Sequence, residues 1–202
     1  MFKVELLGFA KLALNIAKTP ERIEAVLVRT MTRIAGELER VAKTQHLAGQ
    51  DLDARSGNLR RAVFGRVGYL AGGYITAGVG VDLKKAIYGR VHEFGGTIRA
   101  KNAAHLTIPL DAVQTRKGVA RFTARDVITN PDAFGYTGTF VRNKIIFGKT
   151  EDRIVPLFVL KDQVVIKPVG FLSGTVQEVA PKANQMVGEA VAKEFQRILD
   201  GN

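Results

Sequence analysis

The sequence predicts an α+β protein in which an antiparallel sheet packs against a long N-terminal helix and a C-terminal helix. Apolar residues recur every three or four positions near both ends of the chain, as in amphipathic helices. Short runs rich in β-branched and aromatic residues fill much of the region between them. The 202 residues, 46% of them hydrophobic, suffice for one core, so we predict a single domain over 1–202 with a projecting, irregular excursion at 111–141.

The first elements are a short strand and two helices. Residues 2–7 are apolar and alternating, as in a strand, and a short helix follows Gly8. Thr19 is a suitable N-cap with Pro20 at the first helical position, so a long helix is predicted from there to about His46. Its predicted apolar stripe includes Ile23, Leu27, Met31, Ile34 and Leu38.

A polar connection and a hairpin come next. Residues 50–61 are polar and predicted to be mobile, with one helical turn at 58–61. Residues 63–81 read as two strands joined at Gly72 and Gly73, which is typical of an antiparallel hairpin.

The segment YGRVHEFGG, residues 88–96, is predicted to end a short helix. Ile87, Val91 and Phe94 share one helical face, which we expect to point inward, and Gly95 or Gly96 would cap the helix. Strands are then expected in TIRAK, HLTIPL, RNKIIFGK, IVPLFVLK and QVVIK. A final helix is predicted from Phe171, with a division or kink at Pro181.

Positive charge is concentrated in the middle of the chain. The net charge is +11, and residues 51–150 hold 16 basic and 7 acidic side chains, a difference of +9. Such a field favours an anionic partner, either nucleic acid or an acidic protein surface. The basic residues fall in two groups, at Arg55, Arg60, Arg61 and Arg66, and at Arg116, Lys117, Arg121 and Arg125. No helix-turn-helix, zinc-finger or stacking-aromatic pattern accompanies them, so DNA contact would be non-specific and salt-sensitive.

The sequence offers no pattern typical of an enzyme. It has no cysteine, no phosphate-binding glycine motif and no GxSxG. His46, His92 and His105 lack the spacing of paired metal ligands. The acidic pairs Asp51 with Asp53 and Asp111 with Asp126 form no clustered motif for a two-metal nuclease. We therefore predict no catalytic, cofactor-binding or metal-binding residue. We also expect no membrane span and no signal peptide, in a protein made in a reducing cytoplasm.

The order of these segments resembles that of a known family. SGNLRRAV, a hairpin ending in AGVGVD, YGRVHEFGGTI, LTIPL, LFVLKDQVVIK and FL at the start of a terminal helix resemble the tail-completion proteins of long-tailed phages. That group includes minor tail protein Z of the lambdoid phages and related head–tail joining proteins. The matching positions are Ser56, Gly57, Leu59 and Arg60, then Tyr88, Glu93, Phe94, Gly95 and Gly96, and finally residues 157–160 and 164–166.

The resemblance implies a structural virion protein and carries over no catalytic residue. It implies a ring of copies at the neck that contacts a tail terminator, a head connector or stopper, and packaged DNA. The protein would lie in the virion, and in the host cytoplasm during assembly. Residues 50–61 and 111–141 would order on assembly. A stand-alone, non-specific DNA-binding protein is the alternative.

One departure from the family pattern and one expectation for Glu93 complete the comparison. Where the family has a Pro-Ala-Arg-Pro-Phe-like turn, this chain has Lys167-Pro168-Val169-Gly170-Phe171 and so lacks the arginine. Glu93 is expected to cap a neighbouring strand or to pair with an arginine of the same or an adjacent subunit.

Overall fold

A computed structural model of the chain describes residues 21–52, 56–71 and 73–199. The expected first strand, the helix after Gly8 and the cap at Thr19 and Pro20 lie outside these ranges. The α+β prediction is confirmed, with a long N-terminal helix, antiparallel sheets and a C-terminal helix. The helices are α1 (Glu21–Val41), α2 (Asn58–Ala62), α3 (Gly89–Phe94), α4 (Ala124–Thr129) and α5 (Phe171–Leu199). The strands are β1 (Val63–Leu70), β2 (Tyr74–Val81), β3 (Gly96–Arg99), β4 (Leu106–Pro109), β5 (Gly138–Arg142), β6 (Ile145–Lys149), β7 (Ile154–Lys161) and β8 (Gln163–Ile166).

The chain divides into two compact units. The first comprises residues 1–94 and 168–202, and the second comprises residues 95–167. Each unit has its own hydrophobic core within the described residues, so the prediction of one core was wrong. The described strands likewise form three antiparallel sheets instead of one: β1-β2, β3-β8, and β4-β7-β6-β5.

The first unit is built on the amphipathic stripe of α1. Ile23, Leu27, Ile34 and Leu38 are buried at three- and four-residue spacing, as the sequence predicts. The polar Thr30 also lies in this stripe, and its hydroxyl donates to the carbonyl of Val26 at 2.8 Å, which satisfies it. Beyond α1 the chain continues as a wider, π-type helix, Ala42–Gln50, which is kinked by non-helical backbone at Leu47, Ala48 and Gly49.

The β1-β2 hairpin lies directly on α1. The two strands pair antiparallel, with Val63 opposite Val81. At Gly65 the strand comes so close to α1 that a Cβ atom there would lie well inside contact distance of the Ala35 carbonyl oxygen. The amide of Gly65 also donates to Glu39 Oε2 at 2.8 Å. Glycine is thus required at this position by the helix beneath the strand.

The helix α5 runs antiparallel to α1 and completes the first core. Leu172, Val179, Ala183 and Val187 of α5 are buried there. Ion pairs connect the helices at both ends, between Lys182 and Glu37 (2.8 Å) and between Arg22 and Glu194 (3.2 Å). The helix is continuous across the exposed Pro181, so the predicted division is not observed.

The second unit centres on the four-stranded sheet. Its core contains Ile146, Leu157 and Phe158 from the strands. The irregular segment 111–141 contributes Val113, Ala124 and Val127 to the same core and holds α4 and two short 3₁₀ turns.

Candidate functional site

The segment 86–96 buries a different face from the one that the sequence predicts. Ile87 is 77% exposed and Phe94 is 54% exposed, so the expectation that they point inward was wrong. The buried positions are Ala86, Gly89 and Glu93. A carboxylate therefore occupies the interior while two large apolar side chains face outward.

Glu93 is held by the first turn of α5. The side chain is only 3% exposed. Its Oε2 accepts from the Leu172 amide at 2.7 Å, and its Oε1 accepts from the Ser173 amide at 3.0 Å and from the Ser173 hydroxyl. The first amides of a helix have no partner within the helix and carry partial positive charge. Glu93 thus caps a helix 79 residues further along the chain. The expectation of a strand cap or an arginine partner was wrong.

Backbone hydrogen bonds join the same two segments in the same direction, with the donors before α5 and the acceptors at the end of α3. The Val169 amide donates to the carbonyl of His92 at 2.8 Å, and the Gly170 amide donates to the carbonyl of Glu93 at 3.2 Å. Gly95 and Gly170 have φ values of 71° and 68°, a left-handed conformation that glycine adopts without strain. The end of α3 and the start of α5 therefore satisfy each other's unpaired groups. We call this arrangement the Glu93 junction; it comprises α3, residues 169–170 and the first turn of α5.

The first motif segment packs next to this junction. Gly57 adopts a φ of 72° and begins α2, which confirms the predicted helical turn. A Cβ atom added at Gly89 would lie 3.2 Å from Leu59 Cδ1, so the leucine of SGNLR lies against the α3 helix. Tyr88 packs against the same core. Leu59 of the first motif thus contacts the helix that carries Glu93 of the second, whereas Ser56, Arg60 and Gly96 are exposed.

Two histidines of the first unit are buried or partly buried. His46 is 4% exposed, with Nδ1 hydrogen-bonded to Asp51 and Nε2 lying 3.3 Å from Glu178 Oε2. His92 stacks edge-on against Tyr88, and burial lowers its pKa below the usual value. The His46 cluster was not predicted from the sequence, since Glu178 is distant in the chain and a five-residue separation from Asp51 gives no helical pairing signal.

The acidic residues considered for a nuclease have structural partners where they are described. Asp51 is bound to His46, and Asp53 lies outside the described residues. Asp126 forms a capping box with Thr123, whose hydrogen bonds lower the pKa of the carboxyl group. Asp111 is exposed in a short turn. Across residues 21–52, 56–71 and 73–199, no three His, Cys, Asp or Glu side chains form a group that could hold a metal ion.

The predicted basic contacts lie on the surfaces of the two units. In the first unit Arg60, Arg61 and Arg66 are exposed, and Arg55 lies outside the described residues. Arg61 donates to Asn58 and to the Ser56 carbonyl, so part of its donor capacity is used within α2. In the second unit the exposed basic side chains are Arg116, Lys117, Arg121 and Arg125.

Comparison with known proteins gives no match among protein-family models, curated proteins or solved structures. In the described part of the chain, no helix is both long enough and apolar enough to cross a membrane.

Proposed function

We propose that this chain is a structural assembly protein and not an enzyme. The supporting observation is that several of its charged and polar side chains form hydrogen bonds or ion pairs within the fold. Glu93 caps α5, Asp51 binds His46, and Glu194 pairs with Arg22 and Arg197. In each case the group stabilises the fold through an ion pair or hydrogen bonds within the first unit.

Within this class, we propose a tail-completion protein at the neck of a long-tailed phage, arranged as a ring between a tail terminator and a head connector or stopper. The observation that carries this proposal is the Glu93 junction. Of the segments on which the resemblance depends, YGRVHEFGG contacts two others: Leu59 of SGNLR lies against Gly89, and Glu93 binds the amide of Leu172 in the FL that opens α5. Short motifs that hold one another in place are what a fold-defining signature requires, because each loses its packing partner when another is changed.

Virion assembly tests the proposal directly. The structural gene would be inactivated in the phage, and the particles would be imaged by electron microscopy and complemented with the wild-type chain. We expect separate heads and tails without the protein and joined particles after complementation. Joined, infectious particles in its absence would refute the assignment. Sedimentation of the purified chain, alone and with the terminator, should also show concentration- or partner-dependent oligomers.

A stand-alone, non-specific DNA-binding protein is the second candidate. Arg116, Lys117 and Arg121 are exposed, and no ion-pair partner for them occurs among the residues that the structure describes. Each such cation that meets a phosphate releases a counterion, so affinity for duplex DNA should fall steeply with salt. Absence of binding at about 50 mM salt would eliminate this candidate.

A further inference from the structure

A groove of about 390 Å³ runs between α1 and α5 in the first unit. Its floor is formed by the partly buried, apolar Val26, Met186 and Ala190. One wall is the outer side of α1 and the other is the last third of α5. The groove lies away from the Glu93 junction, on the side of α1 where the sequence places two arginines.

Both walls of the groove carry cations at helical spacing. Arg29 and Arg33 are four residues apart on α1, and Lys193 and Arg197 are four residues apart on α5, so each pair projects from one side of its helix. Four positive charges thus border one small groove. Like charges at this spacing repel each other, and the repulsion is relieved when an anion binds between them.

The two acidic residues of the groove compensate the four cations only in part. Glu194 is only 5% exposed and is already paired with Arg22 at 3.2 Å and with Arg197 at 3.3 Å. Glu189 accepts a hydrogen bond from Gln185 at 2.7 Å. Within the described part of the chain, Arg29, Arg33 and Lys193 have no hydrogen-bond or ion-pair partner. The lining thus holds four cations and two carboxylates, a net charge of +2, and three of the cations have no direct ion-pair partner among the described residues.

We propose that this groove binds an acidic amphipathic helix of a partner protein. Carboxylates of that helix would pair with Arg29, Arg33 and Lys193, and an apolar side chain would enter between the walls onto the floor. A polynucleotide fits less well, since the apolar floor offers no partner to a line of phosphates and no aromatic ring lines the groove for base stacking. A second copy is also disfavoured, because this chain carries a net charge of +11. The inference depends on the charge and shape of the groove and not on the phage assignment, so either can fail alone.

Peptide binding to the full chain tests the proposal. The probe is a capped, fluorescently labelled helical peptide of about 18 residues in which glutamates flank leucines at three- and four-residue spacing. Its matched control has glutamine in place of every glutamate, and a duplex DNA of similar length serves as the third probe. Binding would be measured by fluorescence anisotropy at about 50 mM and about 150 mM salt.

The decisive variant is Arg29→Gln combined with Arg33→Gln, which removes two charges from one wall and leaves glutamine, a good helix former. We expect this double variant to bind the acidic peptide about tenfold more weakly than the wild type. The single variant Lys193→Gln should bind it about threefold more weakly, since exposed ion pairs contribute modestly. The control variant, Lys117→Gln combined with Arg121→Gln, has the same net charge and should change affinity less than about twofold. Far-UV circular dichroism and unfolding curves would establish that each variant is folded.

Three results would overturn the inference. The first is no binding of the acidic peptide to the wild-type chain at about 50 mM salt. The second is an equal loss of affinity in the groove variant and the control variant, which would indicate attraction by net charge alone. The third is binding of the duplex, and not the peptide, that depends on Arg29 and Arg33, which would make the groove a nucleic-acid site.

Discussion

Replacement of Glu93 by alanine should destabilise the first unit strongly. The change removes the acceptor of two backbone amides at the start of α5. The Leu172 amide belongs to a fully buried residue, so water cannot replace the carboxylate, and an unsatisfied buried donor costs about 1–3 kcal/mol. Ser173 is exposed, so its amide and hydroxyl recover part of their bonding from water. Loss of the negative charge at the helix N-terminus adds about 0.5–2 kcal/mol. The expected total loss of unfolding free energy is about 1.5–5 kcal/mol, a large share of the ~5–15 kcal/mol that stabilises a typical domain.

Glu93→Gln separates the charge from the shape. Glutamine keeps the side-chain volume and one acceptor oxygen, but its amide group faces a backbone donor, so we expect a loss of about 1–2 kcal/mol. Glu151→Ala is the matched control because Glu151 is exposed, and its effect should stay within about 0.5 kcal/mol.

Urea unfolding and amide hydrogen exchange would measure these effects. Because the chain has two units, unfolding need not be two-state, and exchange at Leu172 and Ser173 reports the junction directly. Both amides should exchange much faster in Glu93→Ala. Unchanged exchange at these amides, or an alanine variant as stable as the Glu151→Ala control, would refute the capping role.

Two further predictions concern α1 and its neighbours. Gly65→Ala should lower the free energy of unfolding by about 3 kcal/mol because the added methyl group collides with the α1 backbone. Gly188→Ala, in an open position within α5, should raise it by about 0.5–1 kcal/mol. Equal thermal midpoints of the two variants would contradict the close approach of β1 to α1 at Gly65. Hydrogen bonds from Arg40 and Lys182 lower the pKa of Glu37 from 4.5 to about 2. The ionised Glu37 should therefore stabilise the folded state above pH 4.5. This stability should be lost as the pH falls towards 2, because the unfolded state then binds a proton that the folded state does not. Urea midpoints of the wild type and Glu37→Gln should therefore converge as the pH is lowered from 7 to about 3, and a difference independent of pH would exclude this ion-pair contribution.

The fold was largely predictable because its main elements have strong local patterns. The stripe from Ile23 to Leu38 repeats at helical spacing over several turns, and the hairpin alternates on both sides of a glycine pair. Local signals of this length predict an element even where its tertiary neighbours are unknown. The sequence could not indicate that the strands would divide into three sheets with two cores, because that depends on which strand edges meet.

The sequence draws attention to residues 88–96 but assigns the wrong side chains to their buried face. It places Ile87 and Phe94 inward because apolar side chains usually mark the buried side of a helix. Two tertiary contacts cause the opposite face of this helix to be buried. Gly89 admits the close approach of Leu59, and Glu93 can be buried because the start of α5 supplies its hydrogen bonds. Neither contact can be inferred from residues adjacent in sequence.

The Glu93 junction also determines how the second unit is attached to the chain. The main chain leaves the first unit at Phe94 and returns to it at Pro168, and the hydrogen bonds from residues 169–170 to the end of α3 hold these two points together. Residues 95–167 are thus an insertion with adjacent entry and exit points. Such insertions can be lengthened, shortened or exchanged for a tight turn while the host core persists. Residues 95–167 can therefore be regarded as an exchangeable insert in the sequence of the first unit.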